Sequence, residues 1–159
     1  MVNVRNVKIK FAEELNSRML ERGVTYRQAA LSVGVTKGAF IHYKSGNCFP
    51  ELFVLVRIAN YLNCSVDELL GYMGGRTMRL NNMNDDFSDE DEFKDYFRER
   101  LIFMITEKNL GINELASKSR VSIDTIEMCL SIHRWVPLVI DFLHICDALE
   151  CTPSDLLGY

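Results

Sequence analysis

At 159 residues, 48% apolar and 25% charged, the chain has a globular composition, and no apolar run reaches the roughly 18 residues of a membrane span. Five cysteines without a CxxC pair argue for buried thiols in a reducing cytoplasm, and against a disulfide framework or a zinc site. The net charge of −4 conceals an asymmetry: residues 1–80 hold 11 basic and 6 acidic side chains, or +5, while residues 81–159 hold 7 and 16, or −9. Two halves of opposite sign suggest different partners.

The opening MVNVRNVKIK is charged and is followed by no apolar core, so it does not read as a signal peptide. Its Val2, Val4, Val7 and Ile9 suggest an arm or an edge strand. Phe11, Leu15, Met19 and Leu20 then recur at helical spacing, and Gly23 stands where a C-terminal glycine stop belongs. Thr25-Tyr26-Arg27-Gln28 has the form of a capping box and opens a second helix carrying Ala29 and Ala30, which ends before Gly34. Thr36 caps a third helix with Phe40 and Tyr43 inward. Pro50 suits the start of a fourth, whose apolar stripe is Leu52, Leu55, Val56, Ala59 and Leu62. Ser65-Val66-Asp67-Glu68 is a second capping box, and Gly71 ends the fifth helix.

The pattern then repeats. Asn63-Cys64 through Leu69-Leu70-Gly71-Tyr72 returns at an offset of 87 as Glu150-Cys151 through Leu156-Leu157-Gly158-Tyr159, as does Pro50 at Pro137. Upstream the offset is 86, matching Phe11 to Phe97, Leu15 to Leu101, Ala30 to Ala116 and Val35-Thr36 to Val121-Ser122, so one residue is inserted between Val121 and Pro137. Met73 to Glu92 separates the copies. Its glycines, asparagines and acidic run from Asp85 to Glu92 predict a flexible tether that also starts the next helix, with mimicry of nucleic-acid charge as the alternative.

At Gln28-Ala29-Ala30, Gly34-Val35-Thr36, Phe40, Gly46, Pro50 and Leu69-Leu70, the first copy resembles the Cro/cI-type (XRE-like) helix-turn-helix family. The second is similar to it more distantly, keeping Glu114-Leu115-Ala116, Val121-Ser122, Ile126, Pro137 and Leu156-Leu157. It has Arg120 for the turn glycine and His133 for Gly46. The resemblance implies an all-α fold of two tandem five-helix, phage-repressor-like units. Residues 1–72 would be the DNA-binding unit with its N-terminal arm, 73–92 the acidic linker, and 93–159 a degenerate unit for dimerisation or partner binding.

The resemblance also implies a docking mode, with the third helix in the major groove of double-stranded DNA. Carried onto this sequence, the positions facing base edges are Thr36, Lys37, Gly38, Ala39, Ile41 and His42. Lys37 suits guanine O6 and N7, and Ala39 a thymine methyl. Gly38 permits close approach, and its cost in a helix, about 1 kcal/mol relative to alanine, asks for a packing or recognition reason. His42 can donate to a base or a phosphate, while Gln28, Lys44 and Asn47 are expected on phosphates.

The second copy offers Ile123, Asp124 and Glu127 instead, and carboxylates oppose a phosphate backbone. It has gained Ile102 and Phe103 where the first copy has Asn16 and Ser17, together with Ile132, Trp135 and Val136. Ile102, Phe103, Trp135 and Val136 are therefore the expected dimer or partner interface, a bulkier private core being the other reading. His144 and Cys146 with Cys151 make a weak metal candidate, because His144 and Cys151 have ordinary counterparts, Arg57 and Cys64, in the first copy. No nucleophile–base pair, phosphate loop or carboxylate pair argues for an enzyme, and no cofactor is expected. The expected function is a cytoplasmic, homodimeric transcriptional regulator, a repressor of bacterial or phage origin, that reads double-stranded DNA. The alternative is a protein-binding antirepressor or inhibitor built on the same scaffold.

Overall fold

A computed structural model of the chain describes residues 3–72, 87 and 89–158. Among these the regular structure is entirely α-helical, and no helix is long and apolar enough to cross a membrane. The chain divides into two compact units, one within Asn3–Arg79 and the other within Leu80–Tyr159.

In the first unit the helices are α1 (Val4–Glu21), α2 (Tyr26–Val33), α3 (Lys37–Lys44), α4 (Leu52–Leu62) and α5 (Val66–Leu69). The expected arm or edge strand is instead the beginning of α1. Asn3 caps it through Asn6 N–H at 3.3 Å, and Val4, Val7, Phe11 and Leu15 form one inward stripe at helical spacing. Val2 lies outside the described residues. Both capping boxes form: Gln28 N–H donates to Thr25 Oγ1 at 3.2 Å while Thr25 N–H donates to Gln28 Oε1 at 2.8 Å. Ser65 and Glu68 reciprocate in the same way at 3.0 and 2.8 Å. Pro50 is not the first residue of α4. It is buried ahead of the N-cap, Glu51, so the proline fixes the approach of the chain and the helix starts at Leu52. Phe11, Leu15, Phe40, Leu55 and Leu69 are fully buried between the helices.

The second unit comprises α6 (Glu90–Glu107), α7 (Ile112–Ser119), α8 (Ile123–Leu130), α9 (Val139–Ala148) and α10 (Pro153–Leu157). The end of the 73–92 segment starts α6, in keeping with the expected use of its acidic run. Asp89 caps α6 through Glu92 N–H at 2.9 Å, and Glu90, Asp91 and Glu92 occupy the first turn, where carboxylates favour the helix dipole. The Phe87 ring already packs on Phe93 and Tyr96, with centroids 5.3 and 5.2 Å away. The rest of that segment, 73–86 and 88, lies outside the described residues.

Five left-handed backbone positions recur between the units: Gly23 and Asn109, Gly34 and Arg120, Gly46 and Arg134, Asn63 and Glu150, Gly71 and Gly158. Arg134, rather than His133, therefore stands for Gly46. Arg134 lies at an offset of 88, one residue beyond what the single insertion gives, and is held by Asp91 and Asp95, each at 3.1 Å. Only the last pair is glycine twice, and there a side chain of another element approaches the backbone most closely. A Cβ on Gly158 would sit 2.5 Å from Tyr96 Oη, and one on Gly71 2.9 Å from Lys10 Cδ. Tyr96 and Arg100 use that proximity to satisfy the last carbonyls of α10, reaching Leu157 O and Asp155 O at 2.8 Å each.

Burial also separates the thiols. Cys48 is exposed, whereas Cys129 is buried and its thiol is pushed up to about 12, first by burial and then by Asp141, against a smaller lowering by a backbone hydrogen bond. Because the thiolate is the reactive form, a thiol-directed reagent at neutral pH should modify Cys48 in the native protein and reach Cys129 only after denaturation. Peptide mass mapping reads this directly, and native labelling of Cys129 at the rate of Cys48 would contradict the packing.

Candidate nucleic-acid interface

The geometry of the candidate site begins with the short connection between α2 and α3. Gly34 ends α2 in the left-handed conformation, and Thr36 Oγ1 accepts from Ala39 N–H at 3.1 Å to start α3 two residues later. Ala29 and Ala30 are buried where the helices approach, and α3 is anchored inward by Phe40 and Tyr43, whose rings meet edge to face at 6.0 Å. That anchoring dictates what points out. Lys37, Gly38, Ile41 and His42 are exposed, Thr36 is exposed beside them, and Ala39 is half-buried at the margin.

The expected phosphate ligands are placed less uniformly. Gln28 is exposed, and its carbonyl oxygen is occupied by the capping box, which leaves the amide NH2 as its outward donor. Asn47 lies beside His42, the Asn47 Nδ2 and His42 Nδ1 atoms being 3.4 Å apart. Lys44 is half-buried and turns back across the first turn of α2, where its ammonium lies 5.4 Å from the centre of the Tyr26 ring. Asn16 ties this corner to α1 by donating to Ala12 O at 2.7 Å and Lys44 O at 2.9 Å.

Two residues not singled out in the sequence complete the corner. Arg27 Nε donates to Tyr26 Oη at 3.4 Å, with the guanidinium 5.8 Å from the ring centre. The Tyr26 phenol is held below its usual value, chiefly by the hydrogen bond and charge of Arg27, against an upward push from desolvation; Lys37 and Lys44 lower it further by smaller amounts. Arg27, Lys37 and Lys44 thus act on one aromatic ring at the start of α2, beside an open groove of about 500 Å³ that Asn16, Leu20 and Tyr26 help to line. The signal was present in the capping box: Thr25 as cap leaves residues 26 and 27 at the outward start of the helix. Their convergence with Lys44 is tertiary.

In the second unit α8 keeps the inward register, with Ile126 and Cys129 buried, but exposes Ile123, Asp124, Glu127 and Met128. On α6, Phe93, Phe97 and Leu101 form the inward stripe, while Ile102 and Phe103 point out at 46% and 50% exposure. Arg100 covers one side of the Phe103 ring at 5.1 Å. Trp135 and Val136 are half-buried after α8. Among the described residues, no three His, Cys, Asp or Glu side chains converge as metal ligands, His144 and Cys146 included.

No family model, curated protein or solved structure matches the chain.

Gly38 receives no packing explanation from the structure. Its φ is not in the left-handed region, and a Cβ there would meet nothing within 4 Å. Gly38→Ala should therefore stabilise the first unit by up to about 1 kcal/mol, by lowering the entropy of the unfolded chain and favouring helix. Thermal melts followed by circular dichroism measure this, and a lower melting temperature would show an unrecognised constraint at that site.

Proposed function

We propose that the chain is a sequence-specific, double-stranded-DNA-binding transcriptional regulator, a repressor of bacterial or phage type acting in the cytoplasm, with no enzymatic role. In this reading α2 and α3 form a helix-turn-helix of the Cro/cI kind, and the second unit is a degenerate copy of the same five-helix design. The observation that carries it is the outward face of α3. Lys37, Gly38, Ile41 and His42 are presented by a helix locked through Phe40 and Tyr43, with the cations of Arg27 and Lys44 at its flank. A helix with small and donor side chains outward can enter a major groove, and cations at its edge suit the phosphates on either side. Thr36, Lys37, Gly38, Ala39, Ile41 and His42 are then the base-edge set. Gln28, Lys44 and Asn47, with Tyr26 and Arg27 added, are the phosphate set.

The two sets predict different mutant behaviour in the full chain. Lys37→Ala should cost about 1–3 kcal/mol on the preferred site and relax the preference at one base pair. Lys44→Ala should weaken all sequences alike and reduce the salt slope by about one. Fluorescence anisotropy on DNA selected from a random pool separates the two, and identical behaviour would overturn the groove assignment. Gly38→Ala should weaken binding while raising stability, because the added methyl obstructs close approach without touching the fold.

Self-association supplies the second half of the reading. One unit of this size neutralises few phosphates, and pairing two across a palindrome supplies affinity and a half-site spacing. Ile102 and Phe103 are exposed at positions where the first unit has Asn16 and Ser17, and burying them against a symmetry mate removes apolar surface from water. Ile102→Asp with Phe103→Asp should give a folded monomer with weaker DNA binding and an unchanged circular dichroism spectrum. Light scattering decides: a protein that stays dimeric moves the interface elsewhere, and one that unfolds makes these residues core. The protein-binding reading, an antirepressor or inhibitor, is favoured only by the apolar and acidic surface of the second unit.

A further inference from the structure

We infer that the outward face of α8 is a docking surface for a basic amphipathic helix of another protein. The comparison with α3 isolates it. Both helices have eight residues, both are capped by a hydroxyl, and both bury the fourth and seventh positions, Phe40 and Tyr43 in one and Ile126 and Cys129 in the other. The outward positions are therefore the same four in each. In α3 they are Lys37, Gly38, Ile41 and His42; in α8 they are Ile123, Asp124, Glu127 and Met128.

Each component of that face has a chemical consequence. Ile123 and Met128 are 44% and 42% exposed, and Ile112, which opens α7 at the position of Tyr26, and Ile132, just after α8, are exposed as well. Single exposed apolar residues are ordinary, but Ile123 and Met128 share the outward face of one short helix with two carboxylates, which gives that face the mixed character of an interaction site. The acids decide the occupant. Glu114 is neutralised by Lys118 at 2.9 Å, and Asp91 and Asp95 by Arg134. Among the described residues, Asp124 and Glu127 face no cation within ion-pair distance. Nucleic acid is repelled by them. A second copy packing α8 against α8 would bring four carboxylates into one apolar interface, like charge against like. A helix with apolar side chains on one stripe and Lys or Arg beside it fills the face and pairs both acids. These residues differ from the self-association pair on α6, and the inference does not depend on whether α3 binds DNA.

The test uses the full chain and a short fluorescein-labelled synthetic helix of leucine and lysine, with leucines at helical spacing. Anisotropy should show saturable binding of one peptide per chain. Asp124→Lys with Glu127→Lys, and separately Ile123→Ser with Met128→Ser, should each weaken it by about tenfold or more. Glu13→Lys with Glu99→Lys changes the net charge identically at exposed positions elsewhere and should leave it unchanged. Duplex DNA binding, measured on the same proteins, reports separately on α3. Equal loss in both charge-reversed proteins would reduce the binding to general electrostatics and overturn the inference. So would undiminished binding in the α8 variants, or loss of a dimer in them, which would make a second copy the occupant.

Discussion

The constraint on which the first unit depends is the close passage of α2 and α3 at the turn from Gly34 to Thr36. Two helices can be joined by so short a connection only if the backbone reverses through the left-handed region and if no bulky side chain separates them. Gly34 supplies the reversal, and the buried Ala29 and Ala30 supply the proximity. Once these are set, the rotation of α3 about its own axis is fixed by Phe40 and Tyr43, and its outward chemistry follows without further choice. The same register reappears in α8, where Arg120 makes the reversal and Ile126 and Cys129 fix the rotation.

What the sequence disclosed about this arrangement was what is written locally. The capping boxes at Thr25 and Ser65, the stop at Gly34 and the inward pairs Phe40 and Tyr43 each depend on residues within one turn of each other, and each formed as expected. The start of α1 suggests a strand in sequence because Val2, Val4, Val7 and Ile9 resemble one until Asn3 is taken as a cap and the stripe extends to Phe11. The corner of Tyr26, Arg27 and Lys44 was invisible for a different reason. Residues 27 and 44 become neighbours only through the packing of α3 against α2, which no spacing rule encodes. Likewise the insertion in the second copy made His133 the aligned residue, while ion pairs to Asp91 and Asp95 selected Arg134 for the left-handed position.

The two units also show how one scaffold can carry opposite surfaces. Burial constrains the inward half of each helix, so Phe97 and Leu101 stand where Phe11 and Leu15 do. The outward half is constrained only by what it meets. Asn16 in the first unit spends its amide on α1 and α3 backbone carbonyls, whereas Ile102 at the same place makes no such bond and is left half in water. Where α3 presents lysine, glycine and histidine, α8 presents isoleucine, aspartate and methionine, in a helix of the same length that is likewise capped by a hydroxyl.

The left-handed turns of the second unit carry a thermodynamic consequence. Asn109, Arg120, Arg134 and Glu150 hold a conformation that costs an L-residue about 1–2 kcal/mol, three of them where the first unit uses glycine. Glycine avoids that strain but gives the denatured chain more freedom to lose, about 0.5–1 kcal/mol at each site. The two routes therefore reach the same turn from opposite sides, one through enthalpic strain in the native state and the other through entropy in the unfolded ensemble. The heat and entropy of unfolding of the two units should differ even where their folded backbones coincide.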